Sequence, residues 1–425
     1  MQRKKEILNA AHKALEYGEV HMERWIDALS LILKIFTLYT AITGLFFLLP
    51  QKKYKRCPPK TRFAVLIAAR NEEAVIGHTV TQFLKQTYPS DLYDLYIIPN
   101  NCTDDTAGVA RRAGAKVLPC TVPVRTKGQV LQWAFQTLEP MAYDAYCIFD
   151  ADNLVDPDFL SRMNDAFCAG ARLAKGLQKA SNPGETWISG CYDLYVENFN
   201  LLYSRPRGTL GLSAKLIGTG FAVSRELLNE MGGFQTVTLT EDTEFAVQCG
   251  LRGEKVWWVP EAVTYDEEPL TFHVSMVQRR RWSSGVMQTA QVYIPRLLKA
   301  IFTGRHPLLC LDLAVLISGP MFQVLALIPG LYLIWQTLAA GNWLYLVYSI
   351  VSFWAGMMGT ALLLAVLGKR PVFKMWKTIL LYPLFTASWY PLHILAVFKK
   401  AKVWKPIAHQ GSRPLPQLSS DKAAC

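Results

Sequence analysis

No two of the nine cysteines in this 425-residue chain stand as a C-x-x-C pair, and none falls at a metal-ligand spacing. That excludes a zinc ribbon and a thioredoxin-type motif, and favours free thiols in a reducing compartment over a disulfide framework. The globular part also lacks a basic patch. The formal charge is +12, yet the basic clusters flank apolar runs: Lys52, Lys53, Lys55 and Arg56 follow the first, and residues 369–377 and 399–405 lie near the last. Such placement is what positive-inside topology requires, and it excludes nucleic acid as a partner. The long apolar runs themselves lack charge, with Asp312 alone in 308–335 and 344–368, which excludes a charged transport path through them. A short apolar core with a small-residue cleavage site is missing near the N-terminus as well, so the first apolar stretch, 28–49, reads as an uncleaved anchor with Lys34 snorkelling.

What is present is apolar: 51% of residues, with a positive mean hydropathy, and concentrated toward the ends. An integral membrane protein follows. The expected organisation is a charged N-terminal helix at 1–26, an anchor at 27–50, an α/β domain at 60–272, a junction at 273–304, a C-terminal membrane region at 307–399, and a tail at 400–425. Within 60–272, short apolar runs at 63–68, 95–99, 117–119 and 146–149 read as buried parallel strands. They alternate with helical periodicity at 72–86, 106–113 and 128–138. The fold class is therefore α/β, a mostly parallel sheet with helices on both faces, plus transmembrane and interfacial helices. Its ligand crevice is expected at the carboxyl ends of the strands. Residues 287–302, with Pro295, suit an interfacial helix, and 308–335, 344–368 and 379–398 are long enough to cross a bilayer. Three such crossings would put the C-terminus opposite the α/β region, whereas Lys399 to Lys405 argue for the same side. Pro383 and Pro391, or Gly319-Pro320, are where a segment could turn back.

The polar motifs fall where the strands end. Asp150-Ala151-Asp152 could be a turn or could hold Mg²⁺ or Mn²⁺ against diphosphate oxygens. Thr240-Glu241-Asp242 enters a helix; its acids could cap that helix, or Asp242 could be a general base. Gln278-Arg279-Arg280-Arg281-Trp282 could attract anionic lipid. It also offers an amide, a guanidinium for a pyrophosphate and an indole on which a sugar ring can stack.

Together with Ala69-Arg70-Asn71-Glu72, Asn101-Cys102-Thr103-Asp104-Asp105-Thr106 and Gly218-Thr219-Gly220, these motifs occur in the order and rough spacing of membrane-bound family 2 glycosyltransferases. The chain resembles the inverting cellulose, chitin, hyaluronan and poly-N-acetylglucosamine synthases over residues 63 to about 290. The resemblance implies a GT-A-like, nucleotide-sugar-binding fold and a metal-dependent hexosyltransferase using a UDP-sugar. It places Asp150 near the nucleotide and on the metal, and Asp152 as metal ligand. Asp242 becomes the base, with Glu241 and Arg281 beside it in the catalytic group. Gln278, Arg281 and Trp282 hold the diphosphate and the acceptor end. Ala69, Arg70, Asn71, Glu72, Asn100 and Lys127 line the nucleotide, and Gly218, Thr219 and Gly220 the acceptor pocket. The family usually has Asp where this chain has Asn100, an amide that can accept from a base N–H and also donate. The resemblance further implies Mn²⁺ or Mg²⁺ as cofactor, a carbohydrate or lipid acceptor and contact with membrane lipids. It leaves room for a homo-oligomer or an export partner, and implies a bacterial plasma membrane with the catalytic domain on the cytoplasmic side. A polysaccharide acceptor is the leading expectation, a glycolipid synthase the alternative, and a catalytically silent carbohydrate-binding scaffold a third.

Overall fold

The computed structural model describes residues 2–304 and 306–398. The basic run at 399–405 and the tail from Gly411 lie outside the described residues. Eight strands form one sheet: β1 (Phe63–Ala69), β2 (Tyr93–Pro99), β3 (Lys116–Val117), β4 (Ala145–Phe149), β5 (Leu154–Val155), β6 (Leu173–Ala180), β7 (Phe221–Ser224) and β8 (Trp257–Asp266). Their order is β3-β2-β1-β4-β7-β6-β8-β5. The expected strands are those of the parallel part, β3-β2-β1-β4. The second part is mixed: β7 runs antiparallel to both β4 and β6, β5 is antiparallel to β8, and β6 is parallel to β8.

Strand alternation explains why β1 reads as an unbroken apolar run. Phe63, Val65 and Ile67 pack with Val80, Phe83, Phe159 and Met163 on one face. Ala64 and Leu66 pack with Leu131, Ala134, Phe135 and Phe245 on the other. Both faces are covered, so neither alternate position can be polar.

Register then brings the polar loops together. Ala69 stands opposite Pro99 and Ile67 opposite Phe149, so Arg70, Asn100 and Asp150 all leave the sheet at one edge. Because β7 is antiparallel and Phe221 lies opposite Ile148, its preceding loop, Gly218-Thr219-Gly220, arrives at that same edge. Strands β6 and β8 finish there too, with Ala180 opposite Asp266.

Four helical segments are long and apolar enough to cross a membrane: His21–Leu48, Pro307–Ala339, Trp343–Leu367 and Val372–Phe398. The first belongs to one helix, Gln2–Leu45, capped by a short 3-10 turn. Pro307–Ala339 continues through Pro320 and Pro329. The last segment breaks at Ser388 into Trp376–Ala387 and Trp389–Phe398, between the two prolines that the sequence marks as a possible turning point. The interfacial helix expected at 287–302 is the second half of one 32-residue helix, Phe272–Thr303, which also carries Gln278 to Trp282.

Two apolar clusters join these helices to the sheet-bearing body. Ile188, Cys191 and Tyr192 pack on Leu364, Ala365, Tyr382 and Phe385. Val247, Ala290, Tyr293 and Leu297 pack on Leu309, Leu313 and Ile317. Ion pairs reinforce both joints: Arg370 makes a two-pronged contact with Asp193 at 2.7 and 2.8 Å, and Arg207 is buried against Asp312.

The expectation of free thiols fails at one pair, because Cys57 and Cys168 form a disulfide. The reason lies in the segment before β1. Cys57 N donates to Asp165, Thr61 N and Oγ1 donate to Asn164, and the Asn164 amide donates to Cys57 and Pro58 carbonyls, fastening the segment along helix Phe159–Cys168. The partners are 111 residues apart, so no local spacing betrays them.

Candidate active site

The donor end forms where β1, β2 and β4 stop. Asn71 leaves β1 with a positive φ of 59°, a conformation that asparagine tolerates better than most residues. Its side-chain oxygen accepts from Thr103 N at 2.8 Å, tying the first polar loop to the second. Glu72 N donates to Thr106 Oγ1 at 2.9 Å, and Asp105 caps helix Thr106–Arg112 by accepting from Gly108 N. Asn100, which lines the crevice, donates from Nδ2 to the Ala69 carbonyl at 3.0 Å.

Lys127, in the first turn of helix Lys127–Leu138, joins two of the loops. Its Nζ donates to Asp150 Oδ1 at 2.5 Å and to the Gly218 carbonyl at 2.6 Å. Burial would lower this ammonium, but the Asp150, Glu241 and Asp242 carboxylates outweigh burial and raise it. Asp150 N donates to Asn153 Oδ1 and Thr219 Oγ1, so the backbone of the D-A-D turn is held as well. A Cβ on Gly218 would sit 3.5 Å from Asp242 Oδ2, 3.7 Å from Glu241 Oε1 and 3.8 Å from Lys127 Nζ. Base candidate, second acid and cation thus surround one stretch of bare backbone.

Glu241 and Asp242 open helix Glu241–Leu251, where acidic residues suit the positive end of the helix dipole. Burial, and then the Asp242 charge, push Glu241 up to about 7. Burial raises Asp242 too, against a 2.6 Å hydrogen bond from Thr243 N and the nearby Lys127 and Lys215 ammonium groups. Burial lowers Lys215 to about 7 and Lys175 to about 8. Lys175 Nζ donates to the Thr219 carbonyl at 2.7 Å, steadying the glycine loop from below.

Three consecutive arginines on a helix must point in three directions, about 100° apart. Arg279 is fully buried: it donates to the Phe385 carbonyl at 3.0 Å and lies 4.3 Å from the Phe385 ring centroid. Arg280 is exposed, and Arg281 faces the crevice with Gln278 and Trp282. Only Arg280 is therefore turned outward, as the lipid-attracting reading would need. Trp282 stacks on Trp389 at 6.5 Å and 19°, and Tyr195 lies against Trp389 at 5.4 Å and 25°. By contrast, Trp335 is exposed on its helix.

One cavity of about 720 Å³ connects all of this. It takes in Arg70, Glu72, Asn100, Lys127, Asp150, Asp152, Gly218, Thr219, Glu241, Asp242, Gln278, Arg281 and Trp282 from the expected set. Ala69, Asn71 and Gly220 stay outside its lining: Ala69 is buried in β1, Asn71 braces Thr103, and Gly220, at φ 61°, bonds to the Ile148 carbonyl and packs on Thr264. Sequence reasoning missed Gln178, Lys215, Asp266 and Glu268, which also line it. Asp266 accepts from Gln178 Nε2 at 2.5 Å and from Asn153 Nδ2 at 3.0 Å, and burial holds its carboxyl well above the usual range. The cavity continues between the membrane helices, past Gly319, Pro320, Phe353, Met357, Trp389 and His393.

The donor set fits a hard divalent ion in one particular way. Asp150 and Asp152 both face the cavity, and Lys127 engages only one oxygen of Asp150. Among the described residues no group of three or more His, Cys, Asp or Glu side chains could hold an ion alone. One or two carboxylates, completed by diphosphate oxygens and water, is how Mg²⁺ is commonly bound in phosphate-handling sites.

Comparison with known proteins fits this geometry. Residues 58–285, more than half of the chain, match the model described as glycosyltransferase like family 2. A probable glycosyltransferase of Bacillus subtilis is 27% identical over 56% of this chain and 58% of its own length. A beta-monoglucosyldiacylglycerol synthase of Synechocystis is 28% identical over 54% of this chain and 49% of its own. The chain thus spans about half the length of the curated relatives it matches. Among solved structures, a mannosyltransferase from Pyrobaculum calidifontis, in complex with GDP-mannose and Mn²⁺, shares the fold. Its TM-score is 0.60 at 18% identity, covering 88% of this chain and 100% of that one. A shared GT-A-like architecture and a family match across the whole sheet lead to one conclusion: the chain belongs to the family 2 glycosyltransferases.

Proposed function

We propose that this protein is an inverting, metal-dependent hexosyltransferase that moves a sugar from a UDP-sugar onto a hydroxyl of a membrane lipid. The observation that carries this reading is the continuity of the cavity from Asp150 and Asp242 to side chains of three membrane helices. Residues 341–355, at the start of helix Trp343–Leu367 and just before it, are almost all exposed, so this part of the chain is open to surrounding lipid. The domain limits given above, and a cytoplasmic α/β body on a bacterial plasma membrane, belong to the same proposal.

The acceptor hydroxyl would enter from the membrane half and give its proton to Asp242. Its oxygen attacks the anomeric carbon from the face opposite the diphosphate. One C–O bond forms as the bond to phosphate breaks, UDP leaves and the configuration inverts. Burial makes Asp242 a better base than an exposed carboxylate. Lys127 and Arg281 offset the charge growing on the leaving group, and Asn100 offers its oxygen to a base N–H. A bound Mg²⁺ or Mn²⁺ at Asp150 and Asp152 would supply further charge compensation to the diphosphate.

A polymer acceptor is the second reading, favoured by the flat faces of Tyr195, Trp282 and Trp389, which suit sugar stacking. Protein in lipid vesicles with Mn²⁺ and labelled UDP-sugars, with Asp242→Asn as the blank, separates the two. Label partitioning into organic solvent is the expected result. Label confined to a high-mass aqueous fraction would establish the polymer reading instead, and a wild type that, like the blank, transfers no label from any donor would return the chain to a binding scaffold.

A further inference from the structure

Glu268 stands just past the end of β8, and one amide clamps its backbone from both sides. Asn182, 4% exposed, donates from Nδ2 to the Glu268 carbonyl at 2.9 Å and accepts from Glu268 N at 2.8 Å. The strand end before it is tied to the metal-facing loop. Asp266 accepts from Asn153 Nδ2 at 3.0 Å, and Asn153 Oδ1 accepts from Asp150 N at 2.9 Å. Glu268 is thereby fixed two residues from a link to the D-A-D turn.

Its side chain is left unengaged. Glu268 is 5% exposed, yet its carboxyl makes no hydrogen bond or ion pair among the described residues. The oxygens are not sealed off either, so the little surface they keep opens into the cavity that the residue lines. Burial, and after it the charges of Asp266, Asp193 and Asp152, push this carboxyl well above the usual range. Tyr195, which lines the same cavity, is near enough to feel the Glu268 charge. The carboxyl therefore lies between Asp152, on the diphosphate side, and a flat ring. Burying a carboxyl without a partner is costly, so a ligand that completes it accounts for its place. Protonated or not, it offers two oxygens side by side, and a hydroxyl can accept from one or donate to the other. We infer that Glu268 is a specificity-determining residue that holds two neighbouring hydroxyls of the sugar being transferred, with Asn182 as its positioning residue. The donor class is thereby a hexose that keeps an unsubstituted pair of adjacent hydroxyls. This inference rests on the UDP-sugar reading above and not on the acceptor, and both residues lie outside every motif noted in the sequence.

The test reads donor binding alone. Full-length protein in phosphatidylcholine nanodiscs with Mn²⁺ is titrated by calorimetry with UDP, UDP-glucose, UDP-galactose and UDP-N-acetylglucosamine. The monodeoxy forms of whichever sugar binds most tightly follow. Glu268→Ala should weaken that UDP-sugar about 10- to 100-fold and leave UDP within about twofold. Glu268→Gln, which still offers an oxygen and an N–H, should lose less than the alanine variant. In the wild type, removing either of two adjacent hydroxyls should cost about tenfold, and in Glu268→Ala the same removal should cost almost nothing. Without ligand, Glu268→Gln should melt no lower than the wild type, because nothing in the fold uses the carboxyl. A UDP-sugar affinity that Glu268→Ala leaves unchanged, or that falls in step with UDP, overturns the inference and leaves the donor reading intact. So does a hydroxyl loss that persists in Glu268→Ala, or a clearly lowered Tm in Glu268→Gln. A wild type that binds no uridine ligand overturns the UDP-sugar reading itself, and this inference with it.

Discussion

Asp312 is the one charged residue in helices Pro307–Ala339 and Trp343–Leu367, and its loss should be among the most damaging single changes in the chain. It is 0% exposed, and Arg207, its partner at 3.0 Å, is 1% exposed. Tyr39 OH donates to the same carboxylate at 2.9 Å and Tyr203 OH at 3.4 Å, while Arg207 Nη2 also donates to Thr43 Oγ1. The pair therefore fastens the N-terminal helix, the turn before Arg207 and helix Pro307–Ala339 at one point. Asp312→Ala strands a guanidinium where neither water nor another carboxylate reaches it. Removing one partner of a buried pair costs about 3–5 kcal/mol, whereas replacing both by apolar groups is often close to neutral. Thermal unfolding in nanodiscs, followed by tryptophan fluorescence, should show Asp312→Ala lowering Tm by on the order of 10 °C. Arg207→Met combined with Asp312→Leu should recover most of that loss. A single-variant cost below about 1 kcal/mol, or a double variant worse than the two singles added, would refute the account of this joint.

Other outcomes concern the site. Asp242→Asn should lower kcat by about 100- to 10,000-fold while UDP binding by calorimetry stays within a few-fold; a variant retaining a tenth of the activity removes Asp242 as the base. Because a base must be unprotonated, and Glu241 sits at about 7 with Asp242 raised beside it, kcat should fall below an apparent pKa near 7 that belongs to the pair. An acid limb near 4 would contradict the buried arrangement. The same shift means that the folded protein holds a proton between the ordinary glutamate value of 4.5 and about 7, where the unfolded chain has lost it. Stability without donor should accordingly fall as pH rises through that window. Lys127→Met removes two hydrogen bonds of a charged donor and should raise the donor KM about 10- to 100-fold, and a change under threefold would demote Lys127 to a structural role. Chelation should weaken UDP-sugar affinity, with Mn²⁺ or Mg²⁺ restoring it. Tight ion binding with no nucleotide present would mean ligands beyond Asp150 and Asp152.

The sequence is most legible where one physical demand dominates. Strands β1 and β4, and β2 from Leu95 onward, are buried on both faces, so they appear as apolar runs that end in polar loops. Strand β6 hides because it carries Lys175, Gln178 and Lys179 among its eight residues. Lys175 is tolerated in the interior only because the Thr219 carbonyl and neighbouring carboxylates await it, a compensation visible in three dimensions alone. Asp266 ends β8 and Glu268 follows it; Pro260 and mixed polarity conceal that strand, so two acids of the cavity lining went unread. Asp150, Asp242 and Gln278 to Trp282 were legible as motifs, but nothing local distinguishes buried Arg279 from Arg281 in the cavity. His393 looked like any residue of an apolar segment.

Those arginines show that the helix Phe272–Thr303 stores its information as an angle. Its first half aims side chains at the sugar site, and its second half, through Tyr293 and Leu297, is keyed into Leu309 and Leu313. One residue inserted between Trp282 and Tyr293 would turn the motif by about 100° against those contacts, sending Arg281 out of the cavity. Seven inserted residues would return it to within about 20°, though roughly 10 Å further along the axis. The membrane anchoring of this enzyme thus sets the rotational phase of its active site as well as its position.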